Sequence, residues 1–358
     1  MKVLHIAESF ATGTMAAVLT LSEGLCDEGH EVAIAWGRRP ETPPDVRAVV
    51  DDRVTLYETP WVDRSIGSQF RAIRYLRRLV TELEPDVVHL HSSFAGLGGV
   101  IGVGSRAPMI YTPQGYSFAQ GDRSGLSRRA YALAERFVAS RVTLIAASSE
   151  DEGELARTVA KAKRVTVLHN GISELDDPAG GDTSDRGRPR VIALGRIAAQ
   201  RQPPATSRIL AAVSDVADVI WVGDGDDAAE IASIRDAGVQ VSGWVTRPEA
   251  LAALASADVY LHWSAWDGHP VTVLEALARD AVVVASNIGP NREIVGPAQV
   301  FDSEDDAVAA IRSVITDPAQ HQTFLESQHQ RREQFSAQRM TARALELYAE
   351  VSASISRP

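Results

Sequence analysis

Two acids eight residues apart, Asp267 and Glu275, mark the segment of this sequence that carries the most chemistry. Asp267 lies in a loop after an apolar run. Glu275 falls one turn inside a predicted helix that begins at Pro270, where a missing N–H is harmless. Because a helical side chain leans toward the N-terminus, Glu275 can point back at the helix start, whose free N–H groups and dipole suit a phosphate. This pattern predicts a site for a phosphorylated ligand rich in hydroxyl groups.

Two arginines, Arg196 and Arg201, form a second candidate site just after the apolar run Val191–Leu194. Two guanidinium groups at a strand end can clamp a diphosphate, because each offers a planar fork of N–H donors. A plainer interpretation stays open for both segments. The arginines would then be an ordinary surface pair, Asp267 a turn residue and Glu275 a solvated helix acid.

A third loop, Glu8–Thr14, connects the first predicted strand to the first predicted helix. Gly13 lets a ligand approach the backbone closely at this second helix start. The loop lacks the G-x-G-x-x-G pattern of dinucleotide-binding proteins. Gly102–Ala107 fits a looser version of that spacing, but it precedes Pro108 and a strand rather than a helix, so we reject a dinucleotide site.

Short apolar runs alternate with helical patterns along the chain, which predicts parallel sheets covered by helices. The segment 173–189, rich in Asp, Gly and Pro, interrupts the alternation and is predicted to link two doubly wound α/β domains. Such domains bind ligands at the carboxyl ends of their strands, so we expect the site in the cleft between them. The predicted strands are 3–7, 31–36, 53–57, 86–91, 109–112, 142–147 and 164–168, then 190–195, 218–222, 239–242, 258–262, 281–285 and 298–301. The predicted helices include 14–28, 65–83, 124–139, 149–160 and 340–355.

Composition and charge exclude several classes of protein. The 358 residues are 45% hydrophobic and 23% charged, which is typical of globular rather than disordered proteins. Cys26 is the only cysteine, so no internal disulfide forms. Neither a signal peptide nor an apolar run long enough to span a membrane is evident. The net charge of −11 argues against nucleic-acid binding. The single cysteine fits a reducing compartment, so we expect a cytoplasmic protein.

In order and spacing these segments resemble the retaining GT-B glycosyltransferases of family 4, and the resemblance covers most of the chain. Asp267 and Glu275 stand at the ends of that family's E-x7-E motif. The resemblance implies two Rossmann-like domains: an acceptor-binding domain over 1–172, to which a last helix near 340–356 returns, and a nucleotide-sugar-binding domain over 190–339. Further matching motifs are 85–92, 111–116, 167–172, 223–225, 241–245 and 291–293.

The resemblance assigns the catalytic roles to four residues. Arg196 and Arg201 would hold the donor diphosphate, and Asp267 would contact hydroxyl groups of the donor sugar. The fourth, Gln114, stands where many relatives carry a catalytic His. Two others also depart from the family pattern, since Asp267 replaces the usual Glu and Arg201 the usual Lys. Gln is neither an acid nor a base near neutral pH, so Gln114 can contribute only hydrogen bonds.

The resemblance also implies the remaining contacts to the donor. Glu275 would bind the ribose, and the backbone around Val245 would contact the base. Backbone amides at two helix starts would complete the phosphate site; the residues concerned are Gly13, Thr14, Gly268, His269, Pro270 and Val271.

The implied reaction moves a sugar from a nucleotide diphosphate to an acceptor hydroxyl with retained configuration. Negative charge grows on the departing phosphate, so fixed cations and helix starts aimed at it would lower the barrier. We expect no protein nucleophile, no metal and no cofactor. A UDP-sugar is the expected donor, with GDP-mannose and dTDP-sugars left open. The acceptor would be a carbohydrate, a lipid-linked molecule or a small molecule in polysaccharide, glycolipid or glycoconjugate biosynthesis.

Two other patterns mimic metal sites. His89 and His91 alternate along one strand, but no third ligand is near them in sequence, so we expect them to line the acceptor side at the strand end. Asp224–Asp226 mimics a D-x-D metal motif inside the family's Gly-Asp-Gly turn, and there too we expect no metal. Cys26 is expected to pack in the core.

Arginines cluster twice in the first half of the chain. They form either a solvated helix face or a contact with anionic lipid at the cytoplasmic membrane, worth about 1 kcal/mol per cation. Such a contact would suit a lipid-linked acceptor. The two clusters are Arg71, Arg74, Arg77 and Arg78, then Arg123, Arg128, Arg129 and Arg136.

Three rival functions stay open. A nucleotide-sugar-binding protein without transfer activity would account for Gln114 and Asp267. A nucleotide-sugar epimerase on the same fold would convert the donor with no acceptor present. A two-domain solute-binding protein is the third, against which the missing export signal argues.

Overall fold

The computed structural model describes residues 1–63, 65–173 and 187–355, which form two compact units. Unit 1 contains the described residues up to 173 together with 336–355, and unit 2 contains 187–335. Each unit is a parallel sheet covered by helices, so the predicted fold class of two doubly wound α/β domains is confirmed. The predicted linker at 173–189 falls largely outside the described residues.

Unit 1 is built on seven parallel strands. They are β1 (Lys2–Ala7), β2 (Glu31–Trp36), β3 (Thr55–Glu58), β4 (Val87–His91), β5 (Met109–Thr112), β6 (Leu144–Ala147) and β7 (Val165–Val167). Their order in the sheet is β3-β2-β1-β4-β5-β6-β7. Val3 of β1 pairs with Val32 of β2 on one side and with Val87 of β4 on the other. The central strands are apolar on both faces because helices cover both faces of the sheet.

The helices that connect these strands are α1 (Thr12–Asp27), α2 (Ile66–Leu83), α3 (Ser93–Val103), α4 (Gly125–Ala139) and α5 (Glu150–Thr158). Four of the five were predicted within two residues at most ends. α3 was not predicted, because its sequence contains four glycines and glycine disfavours helix formation.

Tertiary packing explains the glycines of α3. A Cβ atom at Gly96 would lie 2.8 Å from the Tyr111 ring, and one at Gly99 would lie 2.4 Å from Leu90. At Gly98 it would lie 2.7 Å from Trp61. The glycines therefore let this helix approach the sheet more closely than any side chain allows, and burial outweighs their low helix propensity.

Unit 2 contains six parallel strands: β8 (Arg190–Leu194), β9 (Asp218–Val222), β10 (Gln240–Val241), β11 (Val259–His262), β12 (Val282–Ser286) and β13 (Val300–Phe301). Their order is β10-β9-β8-β11-β12-β13. The helices are α6 (Pro203–Ala212), α7 (Ala228–Asp236), α8 (Arg247–Ala255), α9 (Val271–Leu277), α10 (Gly289–Val295), α11 (Glu304–Thr316) and α12 (Pro318–Arg332). Across the described ranges, no helix combines the length and apolarity needed to cross a membrane.

The last helix, α13 (Ala337–Ile355), belongs to unit 1, where it packs beside α1. Its buried side chains recur at helical spacing, which gives it one apolar stripe. These residues join a core that also contains Cys26, and α2 to α5 cover the core on the other face of the sheet. The buried residues of α13 are Met340, Ala344, Leu347, Tyr348 and Val351.

Candidate functional site

Arg196 and Arg201 lie in the loop between β8 and α6, and their side chains pair with different carboxylates. Arg196 forms an ion pair with Asp226, which follows β9, and its side chain is 44% exposed. Arg201 pairs with Asp267 at 2.7 Å, and these two side chains are only 17% and 13% exposed. The predicted clamp of two arginines on a diphosphate stays a prediction, since each guanidinium is held by an acid in this structure.

The loop that carries Arg196 is fixed against the loop after β9 by contacts that require glycine. Gly223 has a φ of +143°, and a Cβ atom there would lie 2.2 Å from the Gly195 carbonyl oxygen. Glycine alone permits both that backbone and that approach. The Ile197 N–H donates to the Asp224 carbonyl at 2.7 Å across the same contact. The D-x-D pattern of the sequence therefore lies in the turn that supports Arg196.

Arg201 is the centre of a polar network at the carboxyl end of β11. Its Nη1 donates to Asp267 Oδ2 at 2.7 Å, to His262 Nε2 at 3.1 Å and to the Ser264 hydroxyl. Within the described part of the chain, all hydrogen bonds of this side chain use Nη1. Nε and Nη2, which form the side-on fork of a guanidinium, therefore remain for an anionic ligand.

The hydrogen bonds of His262 depend on its tautomer. Its Nε2 lies 3.1 Å from the Arg201 donor and 3.3 Å from the Asp267 Oδ2 acceptor, and we assign the ring proton to Nδ1 because the guanidinium, which only donates, is the nearer of the two. In that tautomer Nδ1 donates to the Tyr260 hydroxyl at 2.8 Å, and this hydroxyl donates to Thr272 Oγ1 at 3.0 Å. This chain of hydrogen bonds connects Arg201 to the first turn of α9.

Charge in the network is balanced by one ion pair. Burial alone would raise the pKa of Asp267, yet the Arg201 guanidinium holds it well below its usual range. Burial and the nearby Arg201 charge lower the pKa of His262 to about 4. At neutral pH the network therefore contains one cation, one anion and a neutral imidazole.

Glu275 is the second acid of the predicted pair, and its carboxylate is almost fully buried. Oε1 lies 2.5 Å from Nη2 of Arg247, the first residue of α8, and these side chains are 7% and 47% exposed. Burial raises the pKa of Glu275, and the Arg247 charge offsets part of that increase. The Arg279 guanidinium also donates to the Glu275 carbonyl at 3.0 Å. Glu275 thus ties the start of α8 to α9.

The predicted helix start at Pro270 is wrong by one residue. Pro270 is the N-cap with an extended ψ of 110°, and α9 begins at Val271. Proline has no N–H, so the donors in this segment belong to Gly268, His269 and Val271. The His269 ring is buried and packs on Phe335 with centroids 5.2 Å apart, so this side chain belongs to the core. The role of the backbone amides stays a prediction.

Val245 lies half-buried in the loop between β10 and α8, beside one exposed aromatic residue. Trp244 is 57% exposed, and its flat ring could stack on a base. Thr246 caps α8 in a reciprocal capping box with Glu249, which fixes where this loop ends. The predicted contact between the Val245 backbone and a base stays a prediction.

Gln114 follows β5 in unit 1 and is paired with a buried amide. Its Nε2 donates to Asn170 Oδ1 at 3.2 Å, and Asn170 Nδ2 donates back to Gln114 Oε1 at 3.3 Å. Gln114 has a φ of +56°, a conformation that costs about 1–3 kcal/mol outside glycine. Buried Glu152 accepts from the Gly115 N–H at 2.6 Å and the Ser148 N–H at 2.7 Å, which holds the strained loop.

Gly13 and Thr14 lie half-exposed in the first turn of α1, which begins at Thr12 rather than at the predicted residue 14. The N-cap, Ala11, makes no side-chain cap. The positive φ in this loop belongs to Thr12, at +49°, and not to Gly13. The contact of this helix start with a ligand phosphate stays a prediction.

Three buried histidines lie together in unit 1, where the sequence indicated two. His5 joins His89 and His91 from the neighbouring strand β1, and ligand nitrogens of the three lie within 4.8 Å of one another. The expectation that the pair lines the acceptor side is wrong, since none is more than 2% exposed. Both nitrogens of His89 are bonded, to the Tyr348 hydroxyl at 2.7 Å and to Thr112 Oγ1 at 2.8 Å. His89 therefore has no nitrogen left for a metal ion, whereas His5 Nδ1 faces His91 Nε2 at 3.0 Å.

Four residues that position the candidate site residues were not predicted from the sequence: His262, Asn170, Glu152 and Arg247. His262 and Asn170 carried a signal, because each is a polar residue at the end of an apolar strand segment. Glu152 resembled an ordinary acid in the first turn of a helix. Arg247 carried none, because its partner Glu275 lies on another helix.

Two models of glycosyltransferase domains match this chain. A Glycosyl transferase 4-like domain matches residues 12–171, and a Glycosyl transferases group 1 domain matches residues 188–317. Together the two matches cover most of the chain, with one in each half.

A curated relative and two solved structures agree with these matches. A GDP-mannose-dependent alpha-mannosyltransferase from Mycolicibacterium smegmatis is 29% identical over 323 residues, covering 84% of this chain and 83% of that protein. Sucrose-phosphate synthase from Thermosynechococcus elongatus superposes with a TM-score of 0.82 at 16% identity, covering 99% of this chain and 100% of that one. Anabaena HepE in complex with UDP-glucose has a TM-score of 0.80 at 15% identity, covering 98% and 100%. At these identities the two structures show a shared fold.

Proposed function

Because the chain belongs to the group 1 glycosyltransferases with the GT-B fold, we propose that it transfers a sugar from a nucleotide-diphosphate sugar to an acceptor hydroxyl with retained anomeric configuration. The observation that carries the proposal is the Arg201–Asp267–His262 network at the strand ends of unit 2, where doubly wound folds bind ligands. The diphosphate is the group that this network would hold.

Arg201 is suited to a diphosphate because Asp267 orients it without using all of its donors. The ion pair and the His262 contact use Nη1, so the fork of Nε and Nη2 can receive two phosphate oxygens. Arg196, which is more exposed, would leave Asp226 and approach the same ligand. Glu275 would accept hydrogen bonds from ribose hydroxyl groups.

The chemical barrier lies in breaking the bond between the sugar and the departing phosphate. Negative charge grows on that phosphate, and the arginines would stabilise it in place of a metal ion. The acceptor attacks from the same face, and its proton passes to the departing phosphate oxygen. Gln114 then needs only to hydrogen-bond a sugar hydroxyl, because no residue has to transfer a proton.

The relatives differ in the nucleotide base of the donor for which they are named or with which they were solved. The Mycolicibacterium smegmatis relative is named for GDP-mannose, and the Anabaena structure is a complex with UDP-glucose. We retain a UDP-sugar as the prediction. The acceptor would be a carbohydrate, a lipid-linked molecule or a small molecule.

Donor binding and transfer are tested in sequence. Thermal shift with UDP, GDP and dTDP should single out one nucleotide, because a ligand that binds only the folded state raises its stability. With the matching sugar donor and an acceptor panel, Arg196→Ala should lower the transfer rate about 100-fold, the loss seen when one anion-stabilising donor is removed. NMR of the product should show a retained anomeric configuration, and a chelator should leave the rate unchanged.

Arg208→Ala is the matched control, since this arginine of α6 forms an exposed ion pair with Glu304. It should transfer sugar at the wild-type rate. An unchanged rate in Arg196→Ala would remove the assigned role, and failure of all three nucleotides to bind would remove the proposed function.

The Gln114–Asn170 pair favours one second candidate, a nucleotide-sugar-binding protein without transfer activity. The Gln114 side chain is neither acidic nor basic, and it already forms hydrogen bonds with Asn170. Calorimetry that shows tight donor binding, with neither transfer nor donor hydrolysis across the panel, would favour this candidate over transfer.

A further inference from the structure

The outer side of α2 and α4 in unit 1 combines exposed apolar side chains with exposed arginines. Of the ten large hydrophobic residues exposed in the described chain, six lie on α2, α3 and α4. Ile66 and Leu126 are 89% and 80% exposed, and Phe70 and Leu133 are 67% and 62% exposed. Such a concentration on three neighbouring helices is unusual for a surface that faces only water.

Helical spacing gathers these side chains into two stripes. On α4, Arg129, Leu133 and Phe137 follow one another at intervals of four residues, which places them on one side of the helix. On α2, Phe70, Arg74 and Arg77 are separated by four and then three residues, which also places them on one side of the helix. We call these six residues the α2–α4 face.

Both stripes point away from the same side of the sheet. The buried sides of α2, α3 and α4 share one apolar core, and α3 contacts both of its neighbours. The exposed stripes lie opposite that core. They form the two borders of one surface, with Ile101 of α3, 47% exposed, between them.

The charge of this surface is opposite to that of the whole protein. The chain has a net charge of −11, yet the exposed charges along α2 are four arginines with Glu82 near the end. Glu135, the acid of α4, is buried, whereas Arg128, Arg129 and Arg136 are exposed. No ion pair within the described residues involves the arginines of α2 or α4. Arg128 and Arg136 each donate from Nε to a backbone carbonyl, of Phe118 and of Val159, so one of their donors is in use. The positive charges remain unneutralised and can attract an anionic partner.

We propose that the α2–α4 face docks on the surface of a lipid bilayer that contains anionic lipids. The arginines meet the headgroups, and Phe70 and Leu133 enter the boundary between headgroups and acyl chains. Cations mixed with large apolar side chains on a helix surface suit this interface, where both kinds of group find a partner. Each arginine near such a surface contributes about a fivefold gain in affinity.

Vesicle flotation tests the docking without any measurement of sugar transfer, so its outcome is independent of the proposed function. The full chain should float with phosphatidylcholine vesicles that contain phosphatidylglycerol, and should not float with phosphatidylcholine alone. Salt should weaken the binding, since the attraction is screened.

Two variants separate the charges from the apolar residues. Arg74→Glu with Arg77→Glu should lower the affinity for anionic vesicles at least 25-fold, about fivefold for each cation lost. Phe70→Ser with Leu133→Ser should lower it at least tenfold, because burying such side chains drives insertion. All four residues are exposed, so the variants should unfold at the wild-type denaturant concentration.

Arg235→Glu with Arg339→Glu is the matched control. It makes the same change in net charge at exposed arginines of α7 and α13. It should bind anionic vesicles within threefold of the wild type.

Three results would overturn the proposal. The first is a wild-type protein that does not float with anionic vesicles or floats equally with phosphatidylcholine alone. The second is wild-type affinity in Arg74→Glu with Arg77→Glu. The third is light scattering that shows a dimer which Phe70→Ser with Leu133→Ser dissociates, in the absence of vesicle binding; the face would then serve self-association.

Discussion

At the scale of single residues, the two departures from the family pattern in the predicted donor site, Arg201 and Asp267, contact each other. Arg201 is longer than the Lys usual in the family, and Asp267 is one methylene shorter than the usual Glu. The structure brings them together at 2.7 Å in a mostly buried ion pair. The longer cation reaches the shorter acid, so we expect the two replacements to act together.

This pairing predicts a compensating exchange. Arg201→Lys and Asp267→Glu should each lower the free energy of unfolding by about 1–2 kcal/mol. The lysine is too short to keep the ion pair, and the glutamate is too long for the space that the aspartate occupies. The double variant should recover at least half of the summed loss, a coupling typical of residues in contact. Urea denaturation of the four proteins measures this coupling. Strictly additive losses would mean that the two residues do not act together.

A second residue-scale prediction concerns Glu135 in unit 1. Its carboxylate accepts from the Tyr111 hydroxyl at 3.0 Å, and burial raises the pKa of Glu135 from 4.5 to about 7. The folded state therefore holds a proton that the unfolded chain loses near pH 4.5. The stabilising contribution is complete below that pH and disappears as the pH rises through 7.

Glu135→Gln should remove this dependence, since an amide does not titrate and still accepts from Tyr111. Between pH 5 and pH 8, the wild type should lose about 2.5 kcal/mol of unfolding free energy relative to the variant. Denaturation curves at both pH values give the difference directly. Parallel curves for the two proteins would contradict the raised pKa.

At the scale of elements, the loops after β8 and β9 are held together by backbone contacts. Gly223 approaches the Gly195 carbonyl, and the Ile197 N–H bonds the Asp224 carbonyl. These contacts fix the loop that carries Arg196. The position of a catalytic candidate therefore depends on a residue without a side chain.

Gly223→Ala should destabilise unit 2 by more than 2 kcal/mol, because a clash is added to an unfavourable φ. It should also weaken nucleotide binding. Gly238→Ala is the control, since Gly238 has a φ of +87° but no atom within 4 Å of a new Cβ. It should cost only about 1 kcal/mol. Equal losses in thermal denaturation would show that the close approach is unimportant.

At the scale of the whole molecule, unit 1 is discontinuous in sequence. The chain leaves it at residue 173, forms unit 2 and returns as α13. Leu347 and Tyr348 of α13 are at most 2% exposed in the core beside α1. Unit 1 therefore needs both ends of the chain to bury its apolar surface.

Leu347→Ala should cost about 2–5 kcal/mol of unfolding free energy, the range for a truncated core leucine. Glu346→Ala on the same helix is the control, because its side chain is 66% exposed and should cost less than about 0.5 kcal/mol. Chemical denaturation followed by circular dichroism measures both. A small loss in Leu347→Ala would mean that α13 does not complete the core.

The pattern of apolar residues along the chain was enough to predict the architecture of this protein. Runs of valine, isoleucine and leucine separated by helical patterns locate the strands and most helices, because apolar periodicity is a local property. The chemistry-bearing residues Arg201, Asp267 and Glu275 were identifiable for the same reason, since each follows or enters a patterned element.

Which of these residues contact one another could not be predicted without the fold. Helix α3 forms despite its glycines, because its close packing against Tyr111, Leu90 and Trp61 leaves no room for side chains at those positions. His5 joined His89 and His91 across strands, and Arg247 reached Glu275 from another helix. Contacts between segments far apart in the sequence depend on how strands pair and helices pack. The spacing of residues within one segment does not reveal which distant segment will pack against it.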